Sequence, residues 1–284
     1  FTFYVTGYKF MPTYRSKIWD GKIRLYSVYE QKLYSGLLNH ALIFAQKGSY
    51  HVIFLTKFEN DPVTISSDFT DSLQLQSKGN TLSVRDYQLD ALTHALSKKK
   101  SLLVSPTASG KSLIIYMMVR YLDVRTLIVV PTTSLVEQMY KDFQDYSAIN
   151  GWSVDVNCHR IYSGHEKDTD KPVVISTWQS IHRLKKPFFE GFHLVVGDEA
   201  HGFKSKSLIS IMTKLVNAEY KVGTTGTLDG TQTHQLVLEG LFGPVKQVAT
   251  TKELMDTAVL AELDVHCIVL NYSEDECKLV KIMD

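Results

Sequence analysis

From residue 82 onward, short apolar runs rich in Val, Ile and Leu alternate with segments of helical periodicity. That alternation constrains the fold more than any other feature of the chain. The apolar runs fall at 102–105, 126–130, 173–176, 193–197, 220–224 and 265–270, and the helical segments at 87–96, 111–122, 134–146, 179–184, 206–215 and 234–241. Runs that are apolar at successive positions belong to strands covered on both faces, and a strand-helix repeat builds a parallel sheet with helices on both sides. The expected class is therefore α/β. In such sheets ligands bind outside the carboxyl ends of the strands, where the polar residues of this region cluster.

The first 60 residues read differently. Strand-like segments at 3–5, 23–29 and 51–55 flank a helical stretch at 36–47, a small α+β module, and the stretch 59–78 has the Asp, Ser and Pro content of a connector. The expected division is a small α+β domain at 1–60, a linker at 61–81, the α/β domain at 82–272 and the start of a further connection at 273–284. Residues 1–58 carry eight Lys or Arg against Asp20 and Glu30, a charge of +6 in a chain whose total is +1. Three scattered cysteines, Cys158, Cys267 and Cys277, argue against a disulfide framework or a zinc site. No apolar run reaches the roughly 20 residues that span a bilayer, and the first residues lack a charged region followed by a long apolar core. These features point to a reducing cytoplasm. The chain opens inside one strand-like run and closes inside the helix-like run 274–282, the pattern of a fragment.

Two short strings carry the chemistry. Ser105-Pro106-Thr107-Ala108-Ser109-Gly110-Lys111-Ser112 joins a strand to a helix, so free backbone N–H groups and the helix dipole converge on one anion site. Lys111 suits the β- and γ-phosphates of ATP and the Ser112 hydroxyl suits Mg²⁺. Ser105 stands where the strict motif has Gly, and Ala108 where Gly is common. The second string, Asp198-Glu199-Ala200-His201, follows the run 193–197. There Asp198 suits Mg²⁺, and Glu199 suits orientation and deprotonation of an attacking water. Either string alone has a plain reading, a chance loop or a helix cap; both in one chain are far more specific.

Further residues sit at matching places. Arg85-Asp86-Tyr87-Gln88 opens a helix before the phosphate loop, and an amide such as Gln88 can read the adenine edge through both its donor and its acceptor. Pro131-Thr132-Thr133 and Thr177-Trp178-Gln179 each join a strand end to a helix start. Such places hold a phosphodiester backbone, with ordinary helix capping as the equal alternative. Thr225-Gly226-Thr227 follows the run 220–224 and suits coupling between the γ-phosphate and a nucleic-acid path.

Taken in order, Arg85 to Gln88, Pro106 to Ser112, Val130 to Thr133, Asp198 to His201 and Thr225 to Thr227 resemble the motifs of superfamily 2 DEAH-type helicases. Gly7-Tyr8-Lys9-Phe10, Trp19-Asp20-Gly21-Lys22-Ile23-Arg24-Leu25, Pro131-Thr132-Thr133 and Phe242-Gly243 narrow the resemblance to the UvsW-type phage helicases. The resemblance implies a RecA-like P-loop NTPase domain with Lys111, Asp198, Glu199 and His201 catalytic, ATP and Mg²⁺ as cofactors, and branched or forked DNA as substrate in recombination, repair or replication. It further implies a second RecA-like lobe beyond residue 272 that supplies arginine fingers, and a host cytoplasm as location if the chain is phage-encoded. A duplex translocase, a motor for RNA or RNA–DNA hybrids, and a nucleotide-gated DNA-binding module without turnover stay open beside it. In the amino-terminal module, Lys17, Trp19, Lys22 and Arg24 interleave cations with an aromatic, which suits DNA; a solvated basic face around a buried Trp19 is the plain alternative.

Overall fold

The computed structural model describes residues 1–5, 7–55, 62–203, 205–228, 232–257, 259–261 and 266. The expected strand at 265–270 and helix at 274–282 lie outside the described residues. Residues 1–250 form one compact unit; residues 251–284 form a second, of which helix Thr251–Asp256 is described.

The amino-terminal segment holds β1 (Thr2–Tyr4), helix α1 (Pro12–Arg15), β2 (Lys22–Arg24), β3 (Tyr26–Ser27), β4 (Lys32–Leu33) and α2 (Leu38–Lys47). β1 pairs antiparallel with β2, and β3 with β4. The run 51–55, expected as a strand, is irregular, and Val52, Ile53, Phe54 and Leu55 are exposed. Helix α3 (Ser67–Ser72) and the short hairpin β5 (Gln76–Ser77) and β6 (Asn80–Thr81) occupy the expected connector.

The rest alternates α4 (Asp86–Lys98), β7 (Lys100–Val104), α5 (Lys111–Leu122), β8 (Thr126–Val130), α6 (Thr133–Tyr146), α7 (Val154–Asn157), β9 (Cys158–Ile161), β10 (Val173–Thr177), α8 (Trp178–Ile181), α9 (Lys186–Glu190), β11 (Leu194–Gly197), α10 (Ser205–Lys214), β12 (Tyr220–Thr225), α11 (Gln232–Phe242) and β13 (Val245–Gln247). All seven strands from β7 onward run parallel in the order β13-β7-β12-β11-β8-β10-β9. The expected strands agree with five of these to within two residues at each end. β9 and β13 went unread because both are edge strands with at least half their residues polar, so neither gives an apolar run.

Successive strand residues enter opposite cores, as the two-residue period requires. Leu103, Ile128, Val130, Ile175 and Val196 join α4, α5 and α6 on one face; Leu102, Leu127, Val129, Val174 and Val195 join α10 and α11 on the other. Leu25 and Leu37 of the amino-terminal segment belong to this second core. The approach is close: a Cβ on Gly36 would lie 1.8 Å from the carbonyl oxygen of Glu239 in α11. Beside it His40 Nε2 lies 2.6 Å from Glu239 Oε2. The amino-terminal segment thus covers the α11 side of the sheet.

Candidate nucleotide site

The strand order places β12 between β7 and β11, so the loops after all three meet at one carboxyl edge. The backbone N–H of Ser105 donates to Thr225 O (2.9 Å), and Thr224 Oγ1 donates to Asp198 Oδ1 (2.5 Å). Glu199 N–H donates to the same Asp198 oxygen at 2.9 Å. Asp198 is buried, and desolvation pushes its carboxyl above the usual carboxylate range against these hydrogen bonds.

Glu199 has φ 48°, a left-handed conformation that ends the strand and turns its carboxylate to both neighbours. Its Oε1 lies 3.2 Å from Lys111 Nζ and its Oε2 3.4 Å from His201 Nδ1. Lys111 Nζ also reaches Ser105 O at 3.4 Å. His201 Nδ1 lies 2.8 Å from Thr225 Oγ1, whose proton goes to Thr227 O at 2.7 Å. With that hydroxyl proton on Thr227 O, Nδ1–H is the donor to Thr225. The expected catalytic four and Thr225 are therefore one connected network, with Gly226 beside Lys111 Nζ.

The phosphate loop is held from below. Ser105 and Ser109 are buried and share a hydrogen bond between hydroxyls of 2.6 Å. Serine at 105, an apparent departure from the motif, thus ties the loop to itself. Ala108 (φ 64°) and Gly110 (φ 85°) take left-handed conformations, the first at a strain cost of roughly 1–2 kcal/mol. Gln88 is buried; its Nε2 donates to Ser109 O (2.8 Å) and its Oε1 accepts from Arg85 N–H (3.0 Å). Tyr87 OH donates to the same Ser109 oxygen (2.9 Å) and accepts from Arg85 Nη1 at 3.1 Å. Each end of the Gln88 amide makes one hydrogen bond, so in this arrangement Gln88 braces the loop. Tyr87 joins it in that role.

A cavity of about 340 Å³ opens over the loop, lined by Thr107, Lys111, Ser112, Asp142, Asp198 and Glu199. Asp142 and Tyr146 were not singled out from the sequence. Ser112 Oγ lies 2.9 Å from Tyr146 OH, and the Asp142 carboxylate lines the same cavity close to that hydroxyl. Burial raises Asp142 and pushes Tyr146 up to about 12. Their i, i+4 spacing on α6 puts both on one face, but no motif marks it. No cluster of three or more metal-ligating side chains exists among the described residues. Ser112 and Asp198 fit Mg²⁺ as it is held in nucleotide sites, by one or two protein oxygens with phosphate and water completing the shell.

The residues expected on nucleic acid divide. Thr132, Thr133 and Gln179 are exposed, Thr132 also capping α6 through Leu135 N–H (3.3 Å) and Gln179 donating to Pro131 O at 3.0 Å. Thr177 and Trp178 are buried, Trp178 packing in the core with Ile181 and Phe189, because a strand's last residue and the first turn of the helix behind it face the sheet. In the amino-terminal segment Lys17 and Arg24 are exposed, and Arg24 pairs with Asp20, holding that carboxyl below its usual range. Lys22 Nζ stands 4.8 Å over the Tyr4 ring, and the half-buried Trp19 donates to Lys22 O at 2.9 Å. Tyr14, Arg15, Lys17, Trp19 and Arg24 line a shallow groove of about 760 Å³.

A phosphate loop and an acidic turn on neighbouring ends of a seven-stranded parallel sheet define a RecA-like P-loop NTPase domain. The family model described as the type III restriction enzyme, res subunit, matches residues 81–230, and that described as the DNA helicase UvsW, N-terminal, matches residues 1–55. The chain is 32% identical over 97% of its length to the ATP-dependent DNA helicase uvsW of Enterobacteria phage T4, covering 56% of that protein. It is 26% identical over 69% of its length to the DNA 3′-5′ translocase XPB2 of Sulfurisphaera tokodaii, covering 43% of that protein. The crystal structure of the UvsW helicase from bacteriophage T4 superposes with a TM-score of 0.75 at 33% identity, over 87% of this chain and 90% of that one. The chain belongs to the superfamily 2 helicases, in the UvsW-type group. It spans about half the length of the curated relatives it matches. No helix among the described residues is long and apolar enough to cross a membrane.

Proposed function

We propose that this chain is the ATP-binding lobe, with its amino-terminal DNA-engaging module at 1–60, of an ATP-dependent DNA helicase that works on branched recombination or replication intermediates. The observation that carries this reading is the network from Lys111 through Glu199 and His201 to Thr225, drawn from the loops of three adjacent strands. In it, arrival of the γ-phosphate moves the Lys111 ammonium from Glu199 to phosphate oxygens. Glu199, released, orients the attacking water and takes its proton. Ser112 and Asp198 would hold Mg²⁺, which would offset charge on the phosphates. His201, hydrogen-bonded to Thr225, passes the change at Glu199 to the loop 225–227.

Exposed Thr132, Thr133 and Gln179 provide contacts for a phosphodiester backbone at the same sheet edge, and Lys17, Trp19, Lys22 and Arg24 provide a second basic surface. Nothing among these is arranged as a recognition helix, so selection is by DNA shape. Full turnover needs an arginine donor from a second RecA-like lobe in the intact protein. Glu199→Gln in the intact protein should keep ATP binding and lower DNA-stimulated hydrolysis by about 100-fold or more, the usual worth of a general base. Normal hydrolysis by that variant would refute the base assignment. Strand displacement on forks, blunt duplexes and RNA–DNA hybrids then separates a branched-DNA helicase from a translocase or a hybrid motor.

A further inference from the structure

Lys100 lies in β7 and Lys221 in β12, and the parallel register pairs them directly. Register partners on neighbouring strands share a face, so two ammonium groups stand side by side at the amino end of the sheet, the end opposite the nucleotide site. Both line a cleft of about 790 Å³ between the β3–β4 hairpin and the sheet, walled by Tyr26, Leu33, Tyr34 and Leu241. This volume lies within the roughly 300–1,000 Å³ of small-molecule sites.

Cations outnumber carboxylates in the cleft lining, four to the single Glu30. Lys100 Nζ donates to Ser35 Oγ and Lys221 Nζ to Leu215 O, each at 3.0 Å, and among the described residues neither has a carboxylate within ion-pair distance. An ammonium has three N–H donors, so each keeps spare capacity. The other cations there are engaged, Arg24 with Asp20 and Lys32 with Glu30. Burial and the neighbouring Lys100 press Lys221 down to about 8. Two partly desolvated like charges at the floor of an aromatic cleft are costly without a counter-charge.

We infer that this cleft binds a nucleoside phosphate, as a free mononucleotide or as one unit of a single strand, with Lys100 and Lys221 on the phosphate and Tyr26 and Tyr34 beside the base. A simple inorganic anion would use the lysines alone and leave the aromatic walls without a role. The site differs from the phosphate loop in place and in kind, having cationic side chains where the loop has backbone N–H groups. It does not rest on the motor reading, because its ligand needs no ATP.

The test is binding of thymidine monophosphate and of a short oligothymidylate to the intact protein without ATP, across a range of salt. Lys100→Gln/Lys221→Gln removes two like charges and should leave thermal stability unchanged or raised. It should weaken binding by about tenfold, the loss of one good charge-assisted contact. Its salt slope for the oligomer should fall by about 0.7, the value for one single-strand phosphate contact. Lys100→Arg/Lys221→Arg should restore both quantities. Weakening for both ligands identifies a mononucleotide pocket; weakening for the oligomer alone identifies a strand path. An unchanged affinity and slope in the double Gln variant overturns the inference. Should the double variant be less stable, single Lys100→Gln is read in its place, with weaker binding and a slope loss smaller than about 0.7 expected.

Discussion

Gly110→Ala tests how the phosphate loop is held. Gly110 has φ 85°, and a Cβ there would lie 2.3 Å from Gln88 Nε2. The left-handed conformation costs an alanine roughly 1–2 kcal/mol. The added methyl also drives the Gln88 amide off Ser109 O, leaving buried polar groups short of a partner at roughly 1–3 kcal/mol. The expected total is about 2–5 kcal/mol, measured by urea denaturation. Gln88→Ala alone should cost about 1–3 kcal/mol through the same lost contacts. Because Gln88 can be lost only once, the double variant should fall short of the sum by about 1 kcal/mol or more. Gly226→Ala is the control, since a Cβ there meets nothing nearer than Lys111 Nζ at 3.7 Å. Additivity of the Gly110 and Gln88 changes to within about 0.5 kcal/mol would refute the brace.

Thr225→Val removes the oxygen that receives His201 Nδ1–H; ATP binding should persist while strand displacement falls more than hydrolysis does, and an equal loss of both would remove the coupling role. Asp142→Asn should weaken the hold on the Ser112 hydroxyl, read as a higher Mg²⁺ concentration for half-maximal nucleotide binding with little change in thermal stability; an unchanged Mg²⁺ midpoint would make Asp142 a bystander. Lys221 sits at about 8 in the folded chain against 10.5 for the free side chain. Between those values the unfolded chain binds the proton that the folded chain has released, so this group makes stability rise with pH across that window. Denaturation midpoints should show Lys221→Gln lacking that part of the rise, and identical pH profiles would show that the ammonium is not desolvated.

Pattern alone was enough for the parallel sheet, because both-face burial forces continuous apolar strands and the helices between them must be amphipathic. The phosphate loop and the acidic turn were legible for a related reason: their chemistry needs particular residue types at fixed distances along the chain. Tertiary structure decided what depended on neighbours remote in sequence. The run 51–55 had the residues of a strand and stayed irregular and exposed. Trp178 stood at a strand end suited to a phosphodiester backbone and was drawn into the core by the sheet behind it. Gln88 carried the right amide, and one end of it braces Ser109 while the other bonds Arg85. Asp142, Tyr146 and the Lys100–Lys221 pair belong to no string at all; helix phase and strand register bring them together. Sequence determined which groups are present and in what secondary structure. Strand order determined which of them meet, because insertion of β12 between β7 and β11 is what sets Lys111, Glu199, His201 and Thr225 within reach of one another.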